Sequence, residues 1–340
     1  MKTPFLPPDC RQPALLNGRV NGVWKSWSGS AVVDQVHRLA FGLRAMGLGP
    51  GDAVGILADS SPHWVMMDLA IQAAGGVTVP LFANISPENL DYEIRDSGMK
   101  ILFAEAEKDV DRVAEYLKNL QVITPAPPEN TEANEFGEGP DARILAWDDV
   151  LKLGDTFAAK YSPETDNAND TNAVATIVYT SGSTGFPKGV MLTRANFESQ
   201  VRGVAARFPL SPESDVGLSV LPLAHAFERT TLYYYLSVGC PIYFADDAKR
   251  LGELLREVRP TALTAVPRLL ERVQAKMLAS GEATPGPRGL IARAALRAAM
   301  TRDPEAMHGF NPMHRLFDAL VYARLRKALG GRLRFLISGG

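Results

Sequence analysis

The sequence predicts an α/β fold of two parallel-sheet subdomains flanked by helices, over residues 1–165 and 173–340. Three observations carry this. Helical stripes alternate with short apolar runs through the first hundred residues, and strands separated by helices pair in parallel with right-handed crossovers. The same alternation resumes at Ala173, after a polar break, TDNANDTN, at 165–172. The chain is 340 residues long with 46% apolar and 22% charged residues, enough to bury several cores.

The elements follow in order. Residues 30–46 place Val33, Val36, Leu39, Ala40, Leu43 and Met46 on one helical stripe. GLGPGD (47–52) ends that helix. It follows a helix and precedes a strand, the reverse of a dinucleotide fingerprint, and Pro50 removes an amide donor. AVGILA (53–58) reads as a buried strand. Ser61 caps the next helix with Pro62 in its first position. VTVPLF (77–82) is a second strand, Ser86-Pro87-Glu88 repeats the cap-then-proline signal, and Lys100–Ala104 is a third strand. The apolar window 64–82 contains Asp68, Gln72 and Gly75-Gly76, so it predicts a buried helix and strand in place of a membrane span. PAPPENTEANEFGEGPD (125–141) has four prolines and five acids and predicts a surface loop. A segment around 144–153 can still pack.

Composition narrows the function. A net charge of −2 excludes a whole-chain polyanion binder such as a nucleic-acid-coating protein. Cys10 and Cys240, far apart, suggest neither a disulfide scaffold nor a metal site. MKTPFLPPDC has no apolar core after its basic start, so no signal peptide is expected and the expected location is cytoplasmic. Charge is uneven. Residues 125–170 hold eleven acids against three bases, and residues 287–334 hold ten Lys/Arg against three acids. GLIARAALRAAM (289–300) is a basic helix, either packed on its domain with a solvated face or in peripheral contact with an anionic membrane.

The most informative stretch is AVATIVYTSGSTGFPKGVMLTRANF (173–197). A β-branched run enters a loop of four hydroxyls (Thr180, Ser181, Ser183, Thr184), two glycines (Gly182, Gly185) and Lys188. GVML leaves it as a second strand, and Thr193 caps a following helix. Small residues let the backbone approach an anion, hydroxyls donate and can ligate a cation, and the lysine supplies positive charge. These are the parts of a polyphosphate cradle. It is not a Walker loop, which needs Gly-Lys followed by Ser or Thr, nor a Gly-x-Ser-x-Gly nucleophile elbow.

YTSGSTGFPKGV (179–190) resembles the phosphate-loop signature of the AMP-forming adenylate superfamily, which includes acyl-CoA synthetases, firefly luciferase and peptide-synthetase adenylation domains. VPLFANISPENL (79–90), LPLAHAFERT (221–230), AVPRLLERV (265–273) and RFLISGG (334–340) extend the likeness over nearly the whole chain. The HAFER form is similar to long-chain fatty acid:CoA ligases in particular. The resemblance implies the large N-terminal domain of the acyl-adenylate-forming fold, incomplete at its C-terminal end. It implies two half-reactions: a fatty carboxylate attacks the α-phosphorus of ATP and expels pyrophosphate, then coenzyme A displaces AMP.

By motif, Thr180, Ser181, Gly182, Ser183, Thr184, Gly185 and Lys188 would contact the phosphates. Thr184 would also meet Mg2+, and Lys188 would follow the departing pyrophosphate. His225 would border the carboxylate and orient it, since a carboxylate nucleophile needs no base. Gly339 and Gly340 would approach the nucleotide or acyl chain. Glu228 and Arg229 are either an ion pair beside His225 or separate residues. Phe227 and Tyr233–Tyr235 read as core and tunnel wall. The family's later Thr-Glu motif, ribose aspartate and C-terminal lid with its catalytic lysine have no counterpart here, so negligible ligase activity is expected of this chain alone. No obligate protein partner is evident. Two alternatives stay open: a ligase for another carboxylic acid, and a non-catalytic nucleotide- or lipid-binding module.

Overall fold

The computed structural model describes residues 3–125, 143–160, 170–180, 185–301 and 312–339. The chain opens with a hairpin, β1 (Leu16–Val20) and β2 (Val23–Trp27), turning through Asn21 and Gly22 at φ 51° and 79°. An Asn-Gly pair between two short strands is a strong hairpin signal, and the sequence reading passed over it. Helix α1 (Gly29–Ala45) is capped by Ser28. Its buried stripe is Val32, Val36, Leu39, Ala40 and Leu43. Val32 takes the place expected of Val33, because it lies four residues before Val36 and seven before Leu39, on one helical face. Gly47 and Gly51 turn the chain at positive φ into β3 (Ala53–Leu57).

Both cap-then-proline signals act as expected. Ser61 accepts from the Trp64 amide at the start of α2 (Pro62–Ala74), and Ser86 accepts from the Asn89 amide at the start of α3 (Pro87–Ser97). Between them lies β4 (Val77–Leu81). Helix α2 is buried around nearly its whole circumference, which explains its weak periodicity. Then come β5 (Ile101–Ala104), α4 (Glu107–Val113), β6 (Gln121–Thr124), β7 (Ile144–Ala146) and α5 (Trp147–Ala158). The expected acidic loop lies almost wholly outside the described residues. Next are β8 (Val174–Thr180), β9 (Lys188–Thr193) and α6 (Arg194–Arg207), which begins with a Thr193–Asn196 capping box.

The remainder runs β10 (Gly217–Ser219), α7 (Ala226–Ser237), β11 (Ile242–Phe244), α8 (Leu251–Val258) and β12 (Ala262–Ala265). Helix α9 (Pro267–Ala283) starts on a proline, and α10 (Gly286–Thr301) contains the expected basic helix. Helix α11 (Pro312–Phe317), a π-helical turn (Asp318–Tyr322), α12 (Ala323–Ala328) and β13 (Phe335–Ser338) complete it.

The chain divides into two compact units. The first holds residues 1–214 and 221–246, and the second holds 215–220 and 247–340. In the first, seven strands pair in the order β7-β6-β5-β3-β4-β8-β9, parallel throughout except for antiparallel β8 and β9. Strand β1 pairs with β2 antiparallel and with β11 parallel. In the second unit β10, β12 and β13 pair in parallel. The division differs from the expected break at 165–173. Strand β8 pairs with β4 and β9 folds back on β8, so the loop motif belongs to the first sheet, not to a second one. The polar stretch at 165–172 therefore interrupts the chain without ending a sheet.

Candidate functional site

Strands β3, β4 and β8 are parallel neighbours, so their carboxyl ends share one edge of the sheet. Ligands of open α/β sheets bind beyond that edge. Three features gather there. The loop motif leaves the end of β8. Phe82 follows β4, and the His225 ring packs edge-on against it at 4.8 Å. Ser60 lies just past β3, where its hydroxyl donates to the Leu221 carbonyl (3.0 Å) and accepts from the Leu223 amide (2.9 Å). The LPLA turn before His225 is thus pinned to the same edge.

The loop's two ends are defined by the β8–β9 ladder. Thr180 and Lys188 are directly opposed partners, with Tyr179 opposite Gly189 one step inward. Both Thr180 and Lys188 are exposed, and Lys188 has no carboxylate partner among the described residues. Gly189 has a packing reason: a Cβ there would sit 2.8 Å from Ile177 Cγ2 and 3.3 Å from the Tyr179 ring. Gly185 has φ 97°, a conformation that glycine adopts without strain. Ser181, Gly182, Ser183 and Thr184 lie outside the described residues, as does Gly340. Gly339 follows β13 in the second unit.

Helix α3 holds both sides of this hairpin. Tyr179 donates to Asp96 Oδ2 at 2.6 Å, and Phe186 stacks on Tyr92 with centroids 5.2 Å apart. Burial and then the Asp96 hydrogen bond push the Tyr179 hydroxyl well above its ordinary value, so it stays a donor. Buried Glu93 on the same helix is raised by desolvation to about 7.

His225 is the N-cap residue of α7, its carbonyl accepting from the Arg229 amide at 3.1 Å. Desolvation lowers the pKa of its imidazole, which is therefore neutral at pH 7. One turn on, Arg229 is completely buried, and its partner is Asp68 of α2, not Glu228. Arg229 also donates to Tyr233 (2.6 Å) and Thr176 (2.7 Å). Asp68 accepts from Tyr233 (2.6 Å), Thr78 (2.7 Å) and Gln72 (3.2 Å). Burial alone would lower the Arg229 pKa, but the Asp68 charge and the Tyr233 hydroxyl reverse this and raise it. The network joins α2, α7, β4 and β8, meeting the two strands at Thr78 and Thr176, four residues before Phe82 and Thr180. Its sequence signal was Asp68 and Gln72 inside an apolar helix, where an acid is almost never buried unless paired. Tyr233, Tyr234 and Tyr235 are buried as expected.

Cys10 and Cys240 are buried free thiols. Among the described residues no cluster of His, Cys, Asp and Glu could hold a metal, and no helix is long and apolar enough to cross a membrane.

The model of the AMP-binding enzyme family matches residues 9–340. The chain belongs to this family. Among its curated relatives, the long-chain-fatty-acid–CoA ligase FadD15 of Mycobacterium bovis is 32% identical over 332 residues, covering 94% of this chain and 52% of the relative. Long chain acyl-CoA synthetase 4 of Arabidopsis thaliana is 31% identical, with 93% and 48% covered. The chain thus spans about half the length of the relatives it matches. Two solved structures share the fold. The adenylation domain of a carboxylate reductase from Mycobacterium chelonae aligns at TM-score 0.68 and 19% identity, over 98% of this chain and 52% of that one. ATP-bound MatB from Rhodopseudomonas palustris aligns at TM-score 0.63 and 23% identity, over 98% and 52%. The fold is α/β with two mixed, mostly parallel sheets, and it matches the N-terminal half of adenylation domains.

Proposed function

We propose that the chain is the ATP- and acid-binding half of a long-chain fatty acid:CoA ligase, which activates a fatty carboxylate as acyl-AMP before thioester formation with coenzyme A. The observation that carries this reading is the pairing of Thr180 with Lys188 across the mouth of a hairpin at the carboxyl edge of the sheet. A hydroxyl and an ammonium without a carboxylate partner among the described residues are register partners at the two ends of the loop, and this donor set suits a polyphosphate. The fatty-acid assignment rests on relatives about 30% identical, and on the HAFER form of the segment carrying His225.

In this scheme Thr180, Ser181, Gly182, Ser183, Thr184 and Gly185 hold the phosphates, and Lys188 neutralises the β- and γ-groups as pyrophosphate leaves. Thr184 offers a hard oxygen ligand suited to Mg2+, an ion that would offset phosphate charge. Neutral His225 directs a ring nitrogen at the incoming carboxylate and fixes its approach. Gly339 and Gly340 let the backbone approach the nucleotide or acyl group.

The test is calorimetric titration of MgATP into the 340-residue chain and its Lys188→Ala variant. A hydrogen bond to a charged group contributes about 1.5–3 kcal/mol, so affinity should fall roughly 10- to 150-fold. Equal affinities would remove Lys188 from the phosphate site and end this reading.

A further inference from the structure

The helical part of the second unit contains a groove that the adenylation scheme does not use. It lies between α9, α10, the π-helical turn and α12, with a volume of about 470 Å³. Small-molecule sites commonly span about 300–1,000 Å³. Its walls are mainly apolar, including Met277, Ile291, Leu296 and Val321. Leu320 also lines it and stays 41% exposed, so hydrocarbon surface is left in water.

Two guanidinium groups, Arg288 and Arg324, line the same groove, and among the described residues no Asp or Glu does. Neither arginine has an ion-pair partner among the described residues. The acid of the bordering π-helical turn, Asp318, is already engaged by both terminal nitrogens of Arg326, at 2.6 and 2.9 Å. It does not offset the groove's positive charge.

Two structural details shape the groove. The π-helical turn brings Leu320 and Val321 to its wall, and Tyr322 fixes the turn by donating to the Ala295 carbonyl at 2.7 Å. Such turns are rare and frequently mark functional sites. Gly281 of α9 allows a close approach to α10, since a Cβ there would lie 2.7 Å from Leu296 Cδ1.

We propose that this groove binds a single-chain anionic amphiphile, a long-chain carboxylate in monomeric form. Its tail lies against the methionine and leucine wall, and its carboxylate meets Arg288 and Arg324. Apolar walls give a hydrophilic anion no compensating burial. Paired guanidinium groups without a counter-charge disfavour cationic amphiphiles and give neutral ones no gain. The proposal does not rest on the phosphate-loop assignment, which concerns the other unit.

The experiment uses a photoreactive hexadecanoate with a diazirine on its tail, below its self-association concentration. It is cross-linked to the 340-residue chain, and the labelled peptides are mapped by mass spectrometry. Cross-links are expected in α9, α10 and residues 318–329. The double variant Arg288→Ala/Arg324→Ala should reduce them about tenfold. Ile291→Trp, which fills the groove, should remove them with the far-ultraviolet dichroism unchanged. His225→Ala should leave them as they are, so failure of the adenylation reading would not mimic failure here. The alcohol of the same tail should label several-fold less. Equal labelling of these helices by acid and alcohol, no labelling of these helices, or labelling of them seen only with phosphatidylglycerol vesicles would each overturn the proposal, the last in favour of a membrane surface.

Discussion

Replacing Arg229 with methionine isolates the electrostatics beneath the candidate site. The methionine fills most of the volume, so the change removes chiefly a charge and its donors. In the parent, Asp68 and Arg229 are both fully buried, and the carboxylate accepts from Arg229, Tyr233, Thr78 and Gln72. In the variant, three neutral donors remain around a buried carboxylate with no counter-charge. Breaking a buried pair from one side costs about 3–5 kcal/mol, against a total stability of about 5–15 kcal/mol for a typical domain. The urea midpoint should fall accordingly, with the slope unchanged. The double replacement Asp68→Leu/Arg229→Met should recover much of the loss, since hydrophobic substitution of a buried pair is often neutral. A single-variant cost below about 1 kcal/mol at pH 7 would show that Asp68 is not held as a buried anion, and the reasoning would fail.

Three further outcomes follow from local geometry. Glu93 is raised from its ordinary 4.5 to about 7 by desolvation, so the folded state binds the extra proton and stability declines as pH rises across that window. Glu93→Gln should flatten this pH dependence and stabilise the protein by up to about 3 kcal/mol at pH 8, read from urea midpoints across pH. Gly154→Ala would set a Cβ 1.9 Å from the Arg38 carbonyl where α5 packs on α1, and thermal denaturation should show a loss of at least about 1–3 kcal/mol. Ser60→Ala leaves the Leu221 carbonyl and Leu223 amide without their shared partner, so urea unfolding should register a cost of about 1–2 kcal/mol.

What the sequence made legible was local chemistry. Ser61-Pro62, Ser86-Pro87 and Thr193 announce helix starts because the capping hydroxyl and the amide it satisfies lie three residues apart. The hydroxyl- and glycine-rich stretch between β8 and β9 stands out in the sequence because its residues are contiguous. The Asn21-Gly22 turn is equally local, two adjacent residues at positive φ between two short strands. Features that depend on distant pairing were not legible. Arg229 meets a partner 161 positions away, and its neighbour Glu228 was a misleading candidate because adjacent residues on a helix do not face each other. The sheet that receives β8 was likewise hidden. Its pairing with β4 is set by tertiary packing, while the polar break at 165–172 made a boundary there look natural.

The buried pair raises the question of why a fold would keep charge where leucine and methionine would serve as well for stability. Hydrocarbon packing is non-directional and tolerates small shifts of one element against another. A guanidinium with three partners does not, because each hydrogen bond weakens steeply when its angle changes. Arg229 donates to the Thr176 oxygen on β8, whose hydroxyl in turn donates to the Thr78 carbonyl on β4, while Asp68 anchors the assembly to α2. The tips of those two strands carry Thr180 and, just beyond, Phe82 against His225. A displacement of α7 would therefore have to break charged hydrogen bonds in a dry core before His225 could leave Phe82. On this argument the pair contributes orientation more than stability, which is why the near-neutral double replacement, rather than the damaging single one, is the variant that separates the two.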